Sequence, residues 1–410
     1  MGSTRVNKSI CISFPSEVEY GKLVKDKKAF RTYLNKVYHQ DGELFPAEMK
    51  GDFKFNGYVE SKKQQITIRR IQLLSNQEVY QIRPSFVMPY MIERTEKVEK
   101  ALYLLRYGVP FDAIVYVFGR NAMFWYRAYI SFGRASIVGT TVKDASKMPI
   151  NLVADEKHTW LNGKRVYAAT TAAKGCILGV SLAQDASGES LTKAYREFKQ
   201  EAEEVVPNYS PETVNTDGWE GTQNAWKALF PAIITILCFL HSFLKIRDRC
   251  RRFKELGEQI KSKVWDAYHS KTKAQFSQRI RRLKQWALKN EKLTNTPVLE
   301  KILSLCQKAP QFKLAFDLPD AYRTSNQIDR LMNYQDRILY SMQYFHGNKN
   351  SARLYLRSMA LIWNFHPYCS RTQSKDPTRA SPFEDLNGFH YHPNWLHNLL
   401  IASSLGGHRK

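Results

Sequence analysis

Two aspartates in this sequence each follow a short apolar or β-branched run that predicts a strand. Residues 151–154 end on Asp155, and residues 213–216 end on Asp217, which Gly218 follows at once. Strand ends are where α/β sheets usually place working residues. Two carboxylates on adjacent strands can share a divalent cation, and hard oxygen ligands suit Mg²⁺ or Mn²⁺. With a third carboxylate they can hold two ions about 4 Å apart, the arrangement used in phosphodiester chemistry.

Three later carboxylates are candidates for the third acid. Asp329 follows the polar run 324–326, which can cap a helix and place its first turn at the edge of a sheet. Asp336 lies seven residues further along the same predicted helix, and Glu384 stands at a simple helix start after Pro382. We predict that Asp329 is the third acid, although an acid in a first turn can also serve only to complement the helix dipole.

The elements around these acids follow a recognisable order. Three strands with hairpin links precede a helix, a strand, a helix and a strand, predicted at residues 151–154, 164–171, 176–183, 187–205, 213–216, 222–230 and 232–240. This is the order of the ribonuclease-H-like fold, in which the first and fourth strands lie side by side. The sequence therefore predicts an α/β catalytic core in which Asp155 and Asp217 meet.

The charge of the chain favours a polyanionic partner. The sequence has 62 Lys and Arg against 38 Asp and Glu, a formal charge of +24. Residues 245–325, predicted to be helical, have 20 Lys and Arg against 8 Asp and Glu, half of the net charge. That concentration favours a phosphate-contacting surface, for nucleic acid or an anionic membrane, rather than a merely solvated helix face. The candidate contacts are Arg251, Arg252, Arg281 and Arg282.

Residues 91–134 predict three short helices separated by Gly turns, a pattern that resembles a helix-turn-helix unit. The third helix would present Arg120, Asn121 and Arg127 to DNA. The alternative is a plain helical hairpin with buried aromatic residues. Residues 1–90 predict a mixed region whose function the sequence does not indicate.

We predict four regions along the chain. They are the mixed region 1–90, the helix-turn-helix-like unit 91–134, a catalytic core 148–345 with a basic helical insertion at about 245–322, and C-terminal helices 346–410, which include a polar linker at 370–382. Six scattered cysteines without a CxxC pair predict a reducing cytosol. The beginning of the chain does not resemble a signal peptide, and residues 228–244 are better explained as a strand and a helix start than as a membrane span.

Residues 155–333 resemble the Mutator-like (MULE-type) superfamily of DDE transposases, found in bacterial insertion sequences. The resemblance rests on the Asp155 strand, on VNTDGW around Asp217, on Cys238-x-x-His241 and on the Thr-Ser-Asn run before Asp329. The superfamily usually has Glu at the third acid, where this chain has Asp. The resemblance implies that Cys238 and His241 pack and hydrogen-bond close to the acids. Two such ligands are also too few for structural zinc, which takes four.

The resemblance implies a DNA transposase that requires two Mg²⁺ or Mn²⁺ ions. Such an enzyme nicks double-stranded DNA at terminal inverted repeats and joins the freed 3′-hydroxyls to target DNA. Joining two ends implies a homo-oligomer, in the cytoplasm on the bacterial nucleoid and not on a membrane. The alternatives are a non-catalytic DNA-binding protein, such as a domesticated transposase or a repressor, and a plain nuclease of the same fold.

Overall fold

The computed structural model describes residues 8–50, 52–89 and 91–408. Residues 1–7, which begin the segment without signal-peptide character, lie outside the described residues. The described chain is mixed α/β and has two separate sheets. Its strands are β1 (Ser9–Ile12), β2 (Phe53–Ser61), β3 (Ile66–Leu73), β4 (Val79–Pro84), β5 (Asn151–Leu161), β6 (Lys164–Ala173), β7 (Cys176–Ala183), β8 (Thr213–Thr216) and β9 (Ile234–Leu237).

Helices connect and cover these strands. They are α1 (Glu17–Leu23), α2 (Lys27–Gln40), α3 (Thr95–Arg106), α4 (Phe111–Phe118), α5 (Ala122–Ser131), α6 (Ile137–Thr141), α7 (Gly188–Val205), α8 (Glu220–Leu229), α9 (Phe239–Arg249), α10 (Lys254–Tyr268), α11 (Lys273–Lys289), α12 (Pro297–Gln307), α13 (Ala309–Asp317), α14 (Asn326–Ser341), α15 (Lys349–Phe365), α16 (Ser370–Lys375), α17 (Pro382–Asn387) and α18 (Trp395–Ala402). Within the described residues, no helix is both long and apolar enough to cross a membrane.

The N-terminal sheet has the strand order β1-β4-β3-β2. Strand β1 runs parallel to β4, and the other pairs are antiparallel. One face buries apolar residues of alternating strand positions, such as Phe53, Ile71 and Ile82, together with Phe30 and Leu34 of α2. This alternation is what a sheet with one covered face requires.

The second sheet has the strand order β7-β6-β5-β8-β9. Strands β5, β6 and β7 form antiparallel hairpins, while β8 runs parallel to both β5 and β9. The predicted succession of strands and helices is thereby confirmed, as is the prediction that the first and fourth strands are neighbours. Helices α7 and α8 contribute to the core on one face of this sheet. Helices α14 and α15 contact it through β5 and β7 and contribute to the other main core.

Several predicted boundaries differ from the structure. Strand β5 continues past Asp155 because its antiparallel pairing with β6 extends to Leu161, whereas its parallel pairing with β8 ends at Val153. Asp155 is therefore in the middle of a strand. The apolar run 232–240 is not one strand, because α9 begins at Phe239, which packs into the core of the helical insertion. The segment predicted as a polar linker contains the short helix α16.

The predicted basic insertion is helical and has a core of its own. Helices α9 to α13 contribute buried residues such as Ile246, Ile260, Phe276, Ile302 and Phe312 to one cluster. A separate large cluster joins the N-terminal sheet, helices α3 to α5, helices α14 and α15, and the C-terminal α17 and α18. The C-terminal helices therefore pack against the beginning of the chain.

Candidate metal centre

Asp155 lies on the face of β5 that α14 covers. Its neighbour Val153 points to the same side of the strand and belongs to the core that includes α14. The Oδ1 atom of Asp155 accepts a hydrogen bond from the backbone N–H of Glu156, at 2.9 Å. The carboxylate is half-buried, and the described residues offer it few other hydrogen-bond donors.

Asp217 directly follows β8 and stands level with Asp155. Because Val153 pairs with Asn215 in parallel register, the two aspartates occupy equivalent positions two residues further along adjacent strands. Oδ1 of Asp217 accepts a hydrogen bond from the N–H of Trp219, at 2.8 Å, which closes the turn into α8. The positive φ of Gly218, 88°, makes that turn possible.

Asp329 is in the first turn of α14, and the end of β9 holds that turn in place. Cys238 follows the last residue of β9, and its Sγ accepts a hydrogen bond from the N–H of Ser325, the N-cap residue of α14, at 3.2 Å. The Ser325 hydroxyl lies 3.1 Å from the Cys238 Sγ and 3.3 Å from Nδ1 of His241. The Cys-x-x-His segment therefore links the sheet to the helix that carries the third acid.

Three side chains converge at this point of the structure. Ligand atoms of Asp155, His241 and Asp329 all lie within 4.8 Å of one another. Two carboxylates and one imidazole are a donor set that fits a metal ion, and the charge of Asp217, which is not one of the three, acts on Asp155. We did not predict His241 as a ligand from the sequence. Its position, three residues after Cys238 and in the first turn of a helix, brings the imidazole back over the end of the sheet.

Burial and neighbouring charges shift the pKa values of the side chains in this cluster. Burial raises the pKa of Asp155 to about 6, and the neighbouring Asp217 carboxylate adds to the rise. Burial also raises the pKa of Asp329, which the charge of His241 partly offsets. Hydrogen bonding with Cys238 raises the pKa of His241 to about 9, with help from the charges of Asp155 and Asp217. Shifts of this kind concentrate at functional sites.

The thiol of Cys238 is the partner of this imidazole. Burial alone would raise the pKa of Cys238, but hydrogen bonding with His241 and the charge of that residue lower it overall. The buried thiol of Cys238, whose pKa is lowered, and the imidazole of His241, whose pKa is raised, form a polar pair close to the carboxylates. Both residues therefore take part in hydrogen bonding close to Asp155 and Asp329.

The two rival candidates for the third acid lie elsewhere. Asp336 forms an ion pair of 2.5 Å with Lys157, two residues beyond Asp155 on β5. Glu384 accepts from the Ser381 hydroxyl and lies 3.0 Å from Nδ1 of His390, at the start of α17. Neither belongs to the three-residue cluster found among the described residues.

A further buried acid, Glu156, supports the site from the opposite face of β5. It accepts hydrogen bonds from the hydroxyls of Tyr195 at 2.6 Å and Thr222 at 2.8 Å. Burial raises the pKa of Glu156 to about 7 although these two hydrogen bonds lower it. Thr222, the first residue of the helix predicted at 222–230, lies inside α8, which begins at Glu220.

The predicted DNA-contacting residues are distributed over two regions. Arg251, Arg252, Arg281 and Arg282 are all exposed on the helical insertion. Exposed Arg120 donates to a carboxylate oxygen of Glu93 at 2.7 Å.

The rest of the third predicted helix of the N-terminal unit has mixed roles. Asn121 caps α5 by accepting from the N–H of Phe124. Trp125, Ala128 and Tyr129 of that helix are buried, so one face of α5 is occupied by packing, whereas Arg127 is exposed.

Known proteins provide no further guide to this site. A comparison with the known protein families finds no match to this chain, and a search of curated proteins finds none either. The function of the cluster therefore has to be argued from its own chemistry.

Proposed function

We propose that this protein is a DNA transposase that cleaves DNA at the ends of its element and joins the freed 3′-hydroxyls to target DNA. The observation that carries the proposal is the convergence of Asp155 and Asp329 with His241, beside the end of β8, where Asp217 continues the register that pairs Val153 with Asn215. Acids from separate strands and a distant helix gather here although their mutual repulsion and burial oppose it. Such an arrangement is well explained by a cation-dependent active site.

The topology of the second sheet supports the same proposal. Its strand order, with three antiparallel strands followed by two parallel ones, agrees with a ribonuclease-H-like core. We propose that the core is interrupted by the basic helical insertion α9 to α13, which lies in the chain between Asp217 and Asp329. In the same proposal the N-terminal helices α3 to α5 form a helix-turn-helix-like unit in which exposed Arg127 contacts the element ends.

Each residue of the metal centre would have its own role. Asp155 and Asp329 would bind the cations, Asp217 would complete the acidic set, and His241 would add a nitrogen ligand or hold the acids in place. Two Mg²⁺ or Mn²⁺ ions, when bound, supply activation of a water or 3′-hydroxyl and stabilisation of the leaving oxygen. Cys238 and Ser325 would keep α14, and hence Asp329, at a fixed distance from β5.

The basic helices would hold the phosphate backbone beside this centre. Their exposed arginines, Arg251, Arg252, Arg281 and Arg282, would release condensed counterions from DNA on binding. Because two terminal repeats have to be cut and joined together, the working form would be a homo-oligomer on double-stranded DNA. Such a protein would act in the cytoplasm of a bacterium, on its nucleoid.

The test is a cleavage and strand-transfer assay on the DNA that flanks the coding sequence. We expect the wild-type chain to nick this DNA with Mg²⁺ or Mn²⁺ and not with EDTA. Asp155→Asn, Asp217→Asn and Asp329→Asn should each abolish both steps and leave DNA binding nearly intact. Asp329→Glu should retain some activity, because it keeps the carboxylate on a longer side chain.

Two carboxylates outside the cluster provide matched controls. Asp336→Asn removes the same charge seven residues further along α14, and Glu384→Gln removes the acid that begins α17. Both variants should cut normally. If Asp329→Asn cuts normally while Glu384→Gln is inactive, the third acid is assigned to the wrong residue. If wild-type chain binds the flanking DNA but never cuts it with either ion, the protein is a DNA-binding protein without catalysis.

A further inference from the structure

We infer that the uncovered face of the N-terminal sheet reads base edges in the major groove of duplex DNA. We name this surface the open sheet face; it consists of Lys54, Asn56, Arg70, Gln72 and Gln81. The inference rests on the proposed function, because it says how a chain that acts on particular DNA ends would recognise them. It also gives a role to the region for which the sequence indicated none.

Strand pairing places these five side chains on one side of the sheet. Lys54 of β2 pairs with Gln72 of β3, and Arg70 of β3 pairs with Gln81 of β4. Paired residues of antiparallel strands point to the same face, and residues two apart along a strand do so as well. The residues between them, such as Ile71, point to the opposite face and are buried in the core that includes α2. Lys54 and Gln81 are exposed, and the other three are partly exposed.

A β-bulge in β2 opens the centre of this face. Between the pairs Phe55–Ile71 and Tyr58–Arg69, the two residues Asn56 and Gly57 stand opposite the single residue Arg70. Gly57 has a φ of 67°, which favours glycine, and a Cβ built there would lie 3.5 Å from Nη2 of Arg70. The bulge thus leaves the guanidinium group without a side chain above it. Bulges commonly re-aim a side chain in this way.

The cations of the open sheet face are not used elsewhere in the described structure. Neither Lys54 nor Arg70 forms an ion pair there, and Nε of Arg70, although it is buried, has no hydrogen-bond partner among the described residues. None of the five side chains is acidic. A surface with two free cations and no carboxylate complements the negative charge of DNA, and a chain of net charge +24 strengthens that complementarity.

The amides of the face are oriented by one another. Nδ2 of Asn56 donates to Oε1 of Gln72 at 3.2 Å, and Nε2 of Gln72 donates to the carbonyl oxygen of Gln77 at 2.9 Å. Arginine and lysine are the usual partners of guanine, and asparagine and glutamine are those of adenine. The five residues are therefore the types that discriminate between bases, and not cations alone.

The size of the element suits the groove. A two-stranded β-ribbon fits the major groove, which is about 12 Å wide. Beyond the last pair of β3 with β4, Arg69–Ile82, strands β2 and β3 continue as a two-stranded ribbon, and its turn has the exposed Lys62 and Lys63. These two lysines would contact phosphates and fix the register, while the open sheet face contacts bases.

The experiment measures sequence selectivity as well as affinity. A pool of random DNA duplexes is selected on the full-length protein, and the winning duplex is compared with an unselected one at fixed salt. We expect Arg70→Gln to lower the ratio of the two affinities roughly ten-fold or more, as the loss of one bidentate base contact does. Gln72→Ala should lower it as well and change which bases are preferred.

A matched control removes the same charge from the other side of the same region. Lys28→Gln changes an exposed cation on α2, the helix layer behind the sheet. It should weaken binding to both duplexes alike and leave their ratio unchanged. Thermal unfolding of each variant shows that the N-terminal sheet is intact, which is expected because neither Arg70 nor Gln72 contributes to the apolar core.

The possible outcomes distinguish a failure of the inference from a failure of the proposed function. If Arg70→Gln and Gln72→Ala select the same bases with the wild-type ratio, the open sheet face does not read DNA, and the proposed function is unaffected. Binding of the wild-type chain to all duplexes equally overturns the inference in the same way. If the wild-type chain binds no duplex at all, both the inference and the proposed function fail.

Discussion

Replacing Asp155 by Asn should make the metal-free protein more stable while abolishing its proposed activity. The reason is the pKa of Asp155, which burial and the charge of Asp217 raise from 3.8 to about 6. An acid whose pKa is higher in the folded state than in the unfolded state binds its proton more tightly when folded. The free energy of unfolding therefore falls as the pH rises from the unfolded-state pKa to the folded-state pKa. Above the folded-state pKa the loss of stability is complete.

The magnitude follows from the size of the shift. Each pKa unit corresponds to about 1.4 kcal/mol, so the rise costs the folded protein about 3 kcal/mol at pH 8. Asn is neutral and nearly isosteric, so Asp155→Asn should recover most of this free energy. The thermal midpoint should rise by roughly 5 °C, given about 2 °C per kcal/mol for large domains. Stabilisation on removal of a functional group is the expected trade-off between activity and stability.

The assay is thermal unfolding in EDTA at several pH values between 4 and 8. The gain in midpoint for Asp155→Asn should be largest at pH 8 and should disappear towards pH 4, where the wild-type carboxyl is protonated when folded. Adding Mg²⁺ or Mn²⁺ at pH 8 should raise the midpoint of the wild type more than that of the variant, because only the wild type keeps the acid set that binds the ion.

Asp336→Asn is the control, since it loses a half-exposed ion pair with Lys157 and no repulsion. It should lower stability by no more than about 1 kcal/mol, the usual value of an exposed pair. A variant Asp155→Asn that is equally stable or less stable than the wild type at pH 8 in EDTA would refute the reasoning. It would mean that the acids of the cluster do not strain the folded state.

Three further predictions concern the contact between Cys238 and α14, the basic insertion, and the ion pairs between α7 and α15. Cys238→Ala should lower the cleavage rate roughly ten- to a hundred-fold by releasing α14 from β9, while Cys238→Ser should retain most of it, in a single-turnover assay. Charge reversal at Arg281 and Arg282 should reduce the slope of log affinity for duplex DNA against log salt by roughly two, and an unchanged slope would show a merely solvated face. Arg357→Met should lower the free energy of unfolding by about 3–5 kcal/mol, because it leaves the buried Glu201 without its cationic partner and Glu197 with Arg353 alone. Arg353→Met, which removes a more exposed pair with Glu197, should cost about 1 kcal/mol or less in the same denaturation experiment.

The order of the elements and the closeness of the first two acids could be predicted from the sequence. Hydrophobic periodicity is a local property, so the strands around Asp155 and Asp217 and the helix between them could be predicted from short windows. The start of α14 after the polar run 324–326, and hence the place of Asp329 in its first turn, could also be predicted locally, although the Ser325 side chain makes no capping hydrogen bond. The side-by-side position of β5 and β8 follows once that order is known.

The side chains that complete the site could be identified only from contacts in the folded chain. The contact between Cys238 and Ser325 joins residues 87 positions apart and brings His241 to the acids, and no local pattern indicates a contact at that distance. The same applies to Asp336, whose ion pair with Lys157 joins residues 179 positions apart. Side chains acquire such partners only when separate elements pack, so residue type and spacing alone could not assign them.

The N-terminal region illustrates the same division. Alternating residues predicted its strands, but pairing and register decide which side chains share a face, and a register shift of one residue would move them all to the other side. The bulge at Gly57 becomes visible only once β2 is aligned with β3. The alternation of side chains along a strand depends on the local sequence. Which face of the sheet stays uncovered depends on which elements pack against the opposite face.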